Sequence, residues 1–314
     1  MAEENEFRPQ TFAIVGAGAV GCIVAAFLAR SGYNVTLCDV VPGLLEPVST
    51  RGIIIEGAEN FKQTVPRTCM AIDDLAEDVP DVIFVCAKAN ATPLIASAIE
   101  SYVRHGAYVI SWQNGIDTEL ELSKILGRER VMRAVVNYGC GLVAPGHVRM
   151  GFHHPPHYIQ ELEPVSRAAA TAVSQALSRA GLTTEKTDNI VSMVWRKSIM
   201  NAAMNPVCAV TGLTMSKAMG DPLVFELIDA LTKECTQVAR ANEISLGWDY
   251  YPYAMNYLRG GGDHKPSMLM DIENRRRTEI DYINGKMIAY GNQAGIKTPY
   301  NHMIRGLVKA IEPA

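Results

Sequence analysis

Lys197, Asn201 and Asn205 recur at every fourth position of the run Trp195–Pro206, so on a helix they form one polar stripe. Asn is a poor helix residue. Two of them among Ile199, Met200, Ala202, Ala203 and Met204 point to a line that faces something other than bulk water. A ligand bearing a carbonyl and a carboxylate suits that line: Lys197 can give a proton to the oxygen as hydride reaches the adjacent carbon, while the Asn amides hold hydroxyl and carboxylate groups. The same spacing also suits a buried polar network joining helices, and the pattern alone leaves both readings open.

A second chemical feature lies near the start of the chain. Gly16-Ala17-Gly18-Ala19-Val20-Gly21 follows the β-branched run Phe12–Val15 and opens a segment whose apolar residues Val20, Ile23, Val24, Phe27 and Leu28 have helical spacing. A strand, a glycine turn and a helix in that order form a dinucleotide site. Gly16 permits the tight turn, Gly18 lets backbone approach a pyrophosphate, and Gly21 lets helix and strand pack closely. The helix N-terminus at Ala19 and Val20 adds N–H groups and a favourable dipole. The run Asn34–Cys38 then ends at Asp39, where a carboxylate accepts hydrogen bonds from ribose hydroxyls and repels a 2′-phosphate. No basic residue occurs from Val40 to Thr50, so NAD is the expected cofactor, ahead of NADP. The alternatives are a glycine turn with no ligand, and an Asp39 that only caps its loop while Arg51 or another distant cation holds a phosphate.

These groups need elements to carry them. Phe12–Val15, Val35–Cys38, Val82–Cys86, Tyr108–Trp112 and Val131–Val136 read as buried strands alternating with helices, which implies a parallel, doubly wound α/β sheet of Rossmann type. Gly139–Gln160, rich in Gly, Pro and His, reads as a hairpin or an irregular excursion, and Arg167–Ala180 as a helix ended by Gly181. From Asn189 onward the pattern is helical: Ile190–Val210, Pro222–Asn242 and Ser267–Asn292 are long amphipathic stretches. The expected division is therefore residues 1–188, a dinucleotide-binding domain, and 189–314, an all-α substrate and catalytic domain. Arg259–Asp263, with three glycines, reads as a hinge or ligand-covering loop. Arg275–Arg277 read as the solvated face of a helix.

Composition narrows the function classes. With 29 basic and 33 acidic side chains and a net charge of -4, the 314-residue chain lacks the positive field that a nucleic-acid partner requires, and a small-molecule substrate fits better. The seven cysteines are scattered singly, without a CxxC pair, as expected of small core residues in a reducing cytoplasm. Met1–Gln10 is acidic and polar where a signal peptide needs a basic start, and no run reaches the ~20 apolar residues of a membrane span. His153, His154 and His157 lack a carboxylate or Cys at a companion spacing and read as part of a substrate-shaping loop, so no metal is expected.

With these segments in order, the whole chain resembles the ketopantoate reductase (2-dehydropantoate 2-reductase) family. The resemblance rests on the glycine turn, Val85-Cys86-Ala87-Lys88-Ala89, Gln113-Asn114-Gly115, Trp195-Arg196-Lys197 with Asn201 and Asn205, Ser267, and the run Thr278–Gly285. It implies a second domain like the C-terminal domain of 6-phosphogluconate dehydrogenase, an active site in the cleft between the domains, and a homodimer. It also implies that Lys197 is the proton donor, that Lys88 and Asn114 lie by cofactor and substrate, and that Asn201, Asn205 and Ser267 hold the substrate. Glu279 then contacts the nicotinamide side or orients Lys197. Ser267 and Glu279 are 12 positions apart, roughly 18 Å along a straight helix, so both serve one small ligand only if Ser267 precedes the regular helix.

The chain departs from the family pattern at informative places. Members that use NADPH carry a basic residue next to the position of Asp39, which is followed here by Val40. His264, three residues before Ser267, and Met215, ten residues after Asn205, stand where substrate-side Asn residues are expected. The expected activity is hydride transfer between nicotinamide and C2 of a small 2-keto or 2-hydroxy acid, with ketopantoate and pantoate the leading pair. A Lys near its reference pKa of about 10.4 favours reduction, whereas the NAD preference favours oxidation of another hydroxy acid or secondary alcohol. A cofactor-binding sensor or scaffold is the non-enzyme alternative, and Lys197 and Glu279 count against it.

Overall fold

The glycine turn joins a strand to a helix. In the structure, a computed structural model that describes residues 7–313, this is the first βαβ unit of a larger sheet; most of the acidic N-terminal segment lies outside the described residues. The elements in order are β1 (Thr11–Val15), α1 (Ala19–Arg30), β2 (Asn34–Cys38), α2 (Pro42–Arg51), β3 (Ile53–Gly57), β4 (Phe61–Gln63), β5 (Arg67–Cys69) and β6 (Val82–Val85). Then come α3 (Thr92–Arg104), β7 (Tyr108–Ser111), α4 (Thr118–Leu126), β8 (Val131–Val135), β9 (Tyr138–Ala144), β10 (His147–His153), β11 (His157–Glu161), α5 (Arg167–Arg179) and β12 (Thr184–Lys186).

An eight-stranded sheet has the order β12-β11-β8-β7-β6-β1-β2-β5. Its pairs are parallel except β11 with β8, so the expected parallel sheet carries one antiparallel step. The chain leaves β1 towards β2 on one side and returns to β6 on the other. That reversal opens a crevice at the carboxyl ends of β1 and β6, the usual place for a ligand in such sheets.

A second sheet, β4-β3-β10-β9, gathers segments that are distant in sequence; the expected excursion after Gly139 is the hairpin β9–β10 followed by β11. This sheet covers the outer side of α1. Cys22 to Leu28 are therefore all 0% exposed and share one core with Ile53, Ile55, Val148 and Met150. A helix buried on both sides is apolar all round. Of the three histidines only His154 lies in the loop, where it is exposed: His153 ends β10 and His157 begins β11, their rings stacked 5.3 Å apart.

The chain divides into two compact units, the first made of residues through Gln113 together with Asp117–Ile190, and the second of Asn114–Ile116 together with Val191 onward. Among the described residues the second contains only helices: α6 (Ile190–Thr211), α7 (Met215–Gly220), α8 (Pro222–Ala241), α9 (Tyr250–Arg259), α10 (Ser267–Glu273), α11 (Ile280–Gln293) and α12 (Pro299–Ile311). The expected continuous helix from Ser267 to Asn292 is broken. Asn274 closes α10, Arg275 takes a left-handed conformation at φ 52°, and Arg275–Arg277 lie in the connection and not on a helical face.

A buried polar chain ties the second unit together. Asn284 of α11 donates through Nδ2 to Ala202 O of α6 at 3.0 Å and to Asn301 Oδ1 of α12 at 2.9 Å. Asn301 in turn donates to Glu234 of α8. The 3.6-residue repeat thus yields the helices, and this network fixes α6 against them.

Candidate active site

In the first unit the glycines are explained by what a Cβ would meet. Gly16 has φ 114°, donates its N–H to Cys38 O at 2.8 Å, and would place a Cβ 2.5 Å from the backbone N of Ala87. At Gly21 a Cβ would fall 1.8 Å from Gly16 O, so the turn and helix touch there. Gly18 is different. A Cβ on it would meet nothing within 4 Å, which leaves an open cradle at the N-terminus of α1, where no side chain caps the helix. Open backbone N–H groups at Ala19 and Val20 with space in front of them fit a pyrophosphate.

Asp39 closes the other side of this turn. Its Oδ2 accepts from Ala17 N at 2.7 Å and its Oδ1 from Val41 N at 3.0 Å, so the carboxylate locks the end of β2 to the glycine turn. Each oxygen keeps a second lone pair for a hydroxyl donor. Burial pushes the Cys22 thiol beneath the turn up to about 12 and the Cys86 thiol well up, so both stay neutral where a phosphate would approach. Lys88, after β6, is half-buried, and its loop is held by a residue that motif reading left without a role. Gln113 donates to Ala87 O at 2.7 Å and pairs with Thr92, all inside the first unit.

In the second unit α6 carries Lys197, Asn201 and Asn205 on one stripe, with Asn205 buried and the other two half-buried. The two residues before Lys197 anchor the helix. Trp195 packs edge-on against Tyr290 of α11 at 4.9 Å, while the Arg196 guanidinium lies over the rings of Tyr250 and Tyr253 and donates to Leu246 O. With Trp195 and Arg196 engaged on neighbouring elements, Lys197 is left half-exposed on a rigid helix.

Ser267 and Glu279 do not share a helix. Ser267 is the first residue of α10, and Glu279 is the residue before α11, so the break between them removes the straight-helix separation. Glu279 is 8% exposed and its carboxylate does not cap its own helix. Thr278 sets its place: its N–H donates to Glu312 Oε1 at 2.9 Å, its hydroxyl donates to the same oxygen, and Ile280 N donates to that hydroxyl at 3.2 Å. Burial works against charge on Glu312, but Lys309 and Thr278 outweigh it and hold its carboxyl below the usual range.

Asn114 belongs with this unit and Lys88 with the other. Ile116 N donates to Tyr282 O at 3.0 Å, and a Cβ on Gly115 would lie 2.9 Å from Tyr282 Cβ, so the segment after Asn114 sits against the first turn of α11.

The two departures in this unit are neighbours. Met215 N donates to His264 O at 3.0 Å, and Ser216 donates its N–H to Gly262 O and its hydroxyl to Asp263. The glycine loop, read as a hinge or ligand-covering loop, is thus hydrogen-bonded to α7. Burial pulls the His264 imidazole below its ordinary pKa, so it offers a neutral ring three residues before Ser267.

The chain matches the family model described as ketopantoate reductase PanE/ApbA over residues 12–163, and the model of its C-terminal domain over 189–312. It belongs to the ketopantoate reductase family, whose members are oxidoreductases acting on CH–OH groups. Among its relatives is a 2-dehydropantoate 2-reductase of Pyrococcus horikoshii, 31% identical over 95% of this chain and 96% of that one. Among solved structures it is similar to a D-mandelate dehydrogenase with NADH and anilino(oxo)acetate, at TM-score 0.86 and 28% identity over 96% of this chain and 98% of that one. A PanE/ApbA family ketopantoate reductase from Ralstonia eutropha JMP134 gives TM-score 0.84 and 29% identity, with the same coverage.

Proposed function

We propose that this chain is a nicotinamide-dependent oxidoreductase acting at C2 of a small 2-keto or 2-hydroxy acid, with 2-dehydropantoate and pantoate the leading pair. The observation that carries the reading is the stripe of Lys197, Asn201 and Asn205 on an anchored helix. A polar line of this kind can hold a keto acid and protonate its oxygen. The nicotinamide dinucleotide, when bound, supplies or accepts the hydride. Gly16, Gly18, Ala19, Val20 and Gly21 receive its pyrophosphate, Asp39 its adenosine ribose, and Lys88, Asn114 and Glu279 its nicotinamide side. Lys197 gives its proton to the ketone oxygen in reduction and takes it from the hydroxyl in oxidation. Asn114, Asn201, Asn205 and Ser267 hold the substrate's polar groups, and Glu279 orients Lys197. NAD is preferred over NADP because a 2′-phosphate would meet the Asp39 carboxylate.

A second reading, oxidation of a different 2-hydroxy acid, is favoured by Asp39 together with the D-mandelate dehydrogenase likeness. Absorbance at 340 nm with 2-keto acids plus NADH, and with 2-hydroxy acids plus NAD, separates the two. Turnover of ketopantoate supports the first reading; turnover of other hydroxy acids without it supports the second. No turnover of either class removes both.

A further inference from the structure

Two cysteines that the reaction does not use sit side by side at the carboxyl end of the eight-stranded sheet. Cys38, the last residue of β2, is in register with Cys69, the last residue of β5. Both side chains enter the same core cluster, so they leave the sheet on one face as in-register neighbours. Neighbouring strands stand ~4.8 Å apart, inside the Cα separation that a disulfide spans. Only a modest approach of the two Cβ atoms is needed. β5 can make it, because it is a three-residue edge strand whose sole strand partner among the described residues is β2.

We propose that Cys38 and Cys69 form a redox-active dithiol site that a small peroxide converts to a disulfide, drawing the edge strand onto the strand that leads into Asp39. Cys69 is the attacking sulfur. It is 6% exposed against 1% for Cys38, and the neighbouring Cys38 thiol and the guanidinium of Arg67 lower its pKa against burial and the carboxylates of Asp74 and Glu77. Its sulfur forms an S–O bond to hydrogen peroxide as the O–O bond breaks, and the leaving hydroxide takes a proton to become water. Cys38 sulfur then attacks the sulfenic sulfur. The S–S bond forms, the S–O bond breaks, and the second water leaves with the Cys38 proton. Two thiols lose two electrons and one peroxide is reduced to two waters.

The site is coupled to Asp39 through the backbone. Asp39 N donates to Cys69 O at 3.2 Å, and the Asp39 carboxylate holds the glycine turn at Ala17, so movement of β5 acts on the residue assigned to the ribose. This coupling rests on the function proposed above; the disulfide itself does not.

The test treats the whole protein with hydrogen peroxide, blocks remaining thiols by alkylation, and maps non-reduced peptides by mass spectrometry. A Cys38–Cys69 linked peptide that has lost two hydrogens and is released by dithiothreitol is the expected product. Recovery of both residues as alkylated thiols, irreversible oxidation of Cys69 alone, or links to Cys22 or Cys86 instead would overturn the site. Cys69→Ser should abolish the linked peptide. NADH titration of the disulfide form should give about 10-fold weaker binding, restored on reduction. A mapped disulfide with unchanged NADH affinity leaves the dithiol site standing and overturns its coupling to Asp39. Failure of the reduced protein to bind NADH strikes the proposed function alone.

Discussion

Gly18 and Gly21 stand three residues apart in one turn, yet alanine should affect them in opposite ways. At Gly21 the added Cβ would fall 1.8 Å from Gly16 O, more than an ångström inside the closest approach real Cβ atoms make, and the obstacle is backbone that Gly16 cannot yield. Helix α1 would have to shift, but it is packed between two sheets with Cys22 to Leu28 fully buried. Gly21→Ala should therefore lose about 3 kcal/mol or more of stability, the upper end of overpacking costs. At Gly18 the backbone is extended, with φ -69° and ψ -177°, and a Cβ meets nothing within 4 Å. Gly18→Ala should cost no more than ~1 kcal/mol, the price of a poorer N-cap. The methyl would instead fill the cradle in front of Ala19 and Val20. Loss of even one charge-assisted contact to a phosphate is worth ~1.5–3 kcal/mol, so NADH affinity should fall about 10- to 100-fold. Urea denaturation and NADH fluorescence titration read the two quantities separately. A Gly18→Ala protein of near-native stability that still binds NADH with native affinity would refute the phosphate role of this turn.

Four further outcomes follow from the same geometry. Lys197→Ala should keep NADH binding and lose about 10²- to 10⁴-fold in turnover; unchanged turnover would remove Lys197 from the reaction. NADH should exceed NADPH in kcat/KM by about 10-fold or more, and equal use would contradict the repulsive role of Asp39. Asn284→Asp should destabilise the protein by about 3–5 kcal/mol in urea, since a carboxylate would replace the amide that donates to Ala202 O and Asn301 Oδ1; a loss under 1 kcal/mol would show that the amide is not what ties α6 to α12. Stability should also fall as pH drops below about 6.5, where the unfolded chain takes up protons that buried histidines resist.

His264 and His153 both contribute to that pH effect; burial pulls His153 below its ordinary pKa against the weaker pull of Glu59, with His154 adding to the lowering. His157 Nδ1 accepts from Asn137 N, so the neutral His157 ring presents an N–H to His153 Nε2, 3.3 Å away. A second proton on His153 would set two N–H groups against each other. Because the folded pKa is the lower one, the stabilisation is complete above the unfolded value and is lost as pH falls towards the folded value. His153→Gln should flatten the midpoint-against-pH curve as pH falls below about 6.5, and an unaltered slope would clear His153 of the effect.

The parts of this fold that were legible in the sequence are those where one residue type repeats under one constraint. Strands β1, β2, β6, β7 and β8 are buried on both faces and announce themselves as β-branched runs. Strands β4 and β5 are three residues long and partly exposed, too short to show a period. The stretch from Ser267 to Asn292 kept an amphipathic rhythm across its break, because the interruption at Asn274 and Arg275 uses neither Gly nor Pro and depends on a left-handed residue. Site residues followed the same division. The stripe on α6 is local and its spacing reveals it, whereas the hold of Gln113 on Ala87 and of Glu312 on Thr278 joins residues 26 and 34 positions apart. Spacing carries no trace of such partners.

The second sheet over α1 also has a consequence for synthesis of the chain. Its central pair joins β3 to β10, with Ile54 opposite His147, so the cover is complete only when residues nearly a hundred positions beyond β3 have been made. At roughly 5–20 residues per second, the apolar outer side of α1 waits several seconds on the ribosome before that cover exists. Nascent chains stopped between β8 and β9 should therefore be the most prone to capture by chaperones, and release should coincide with the emergence of β10.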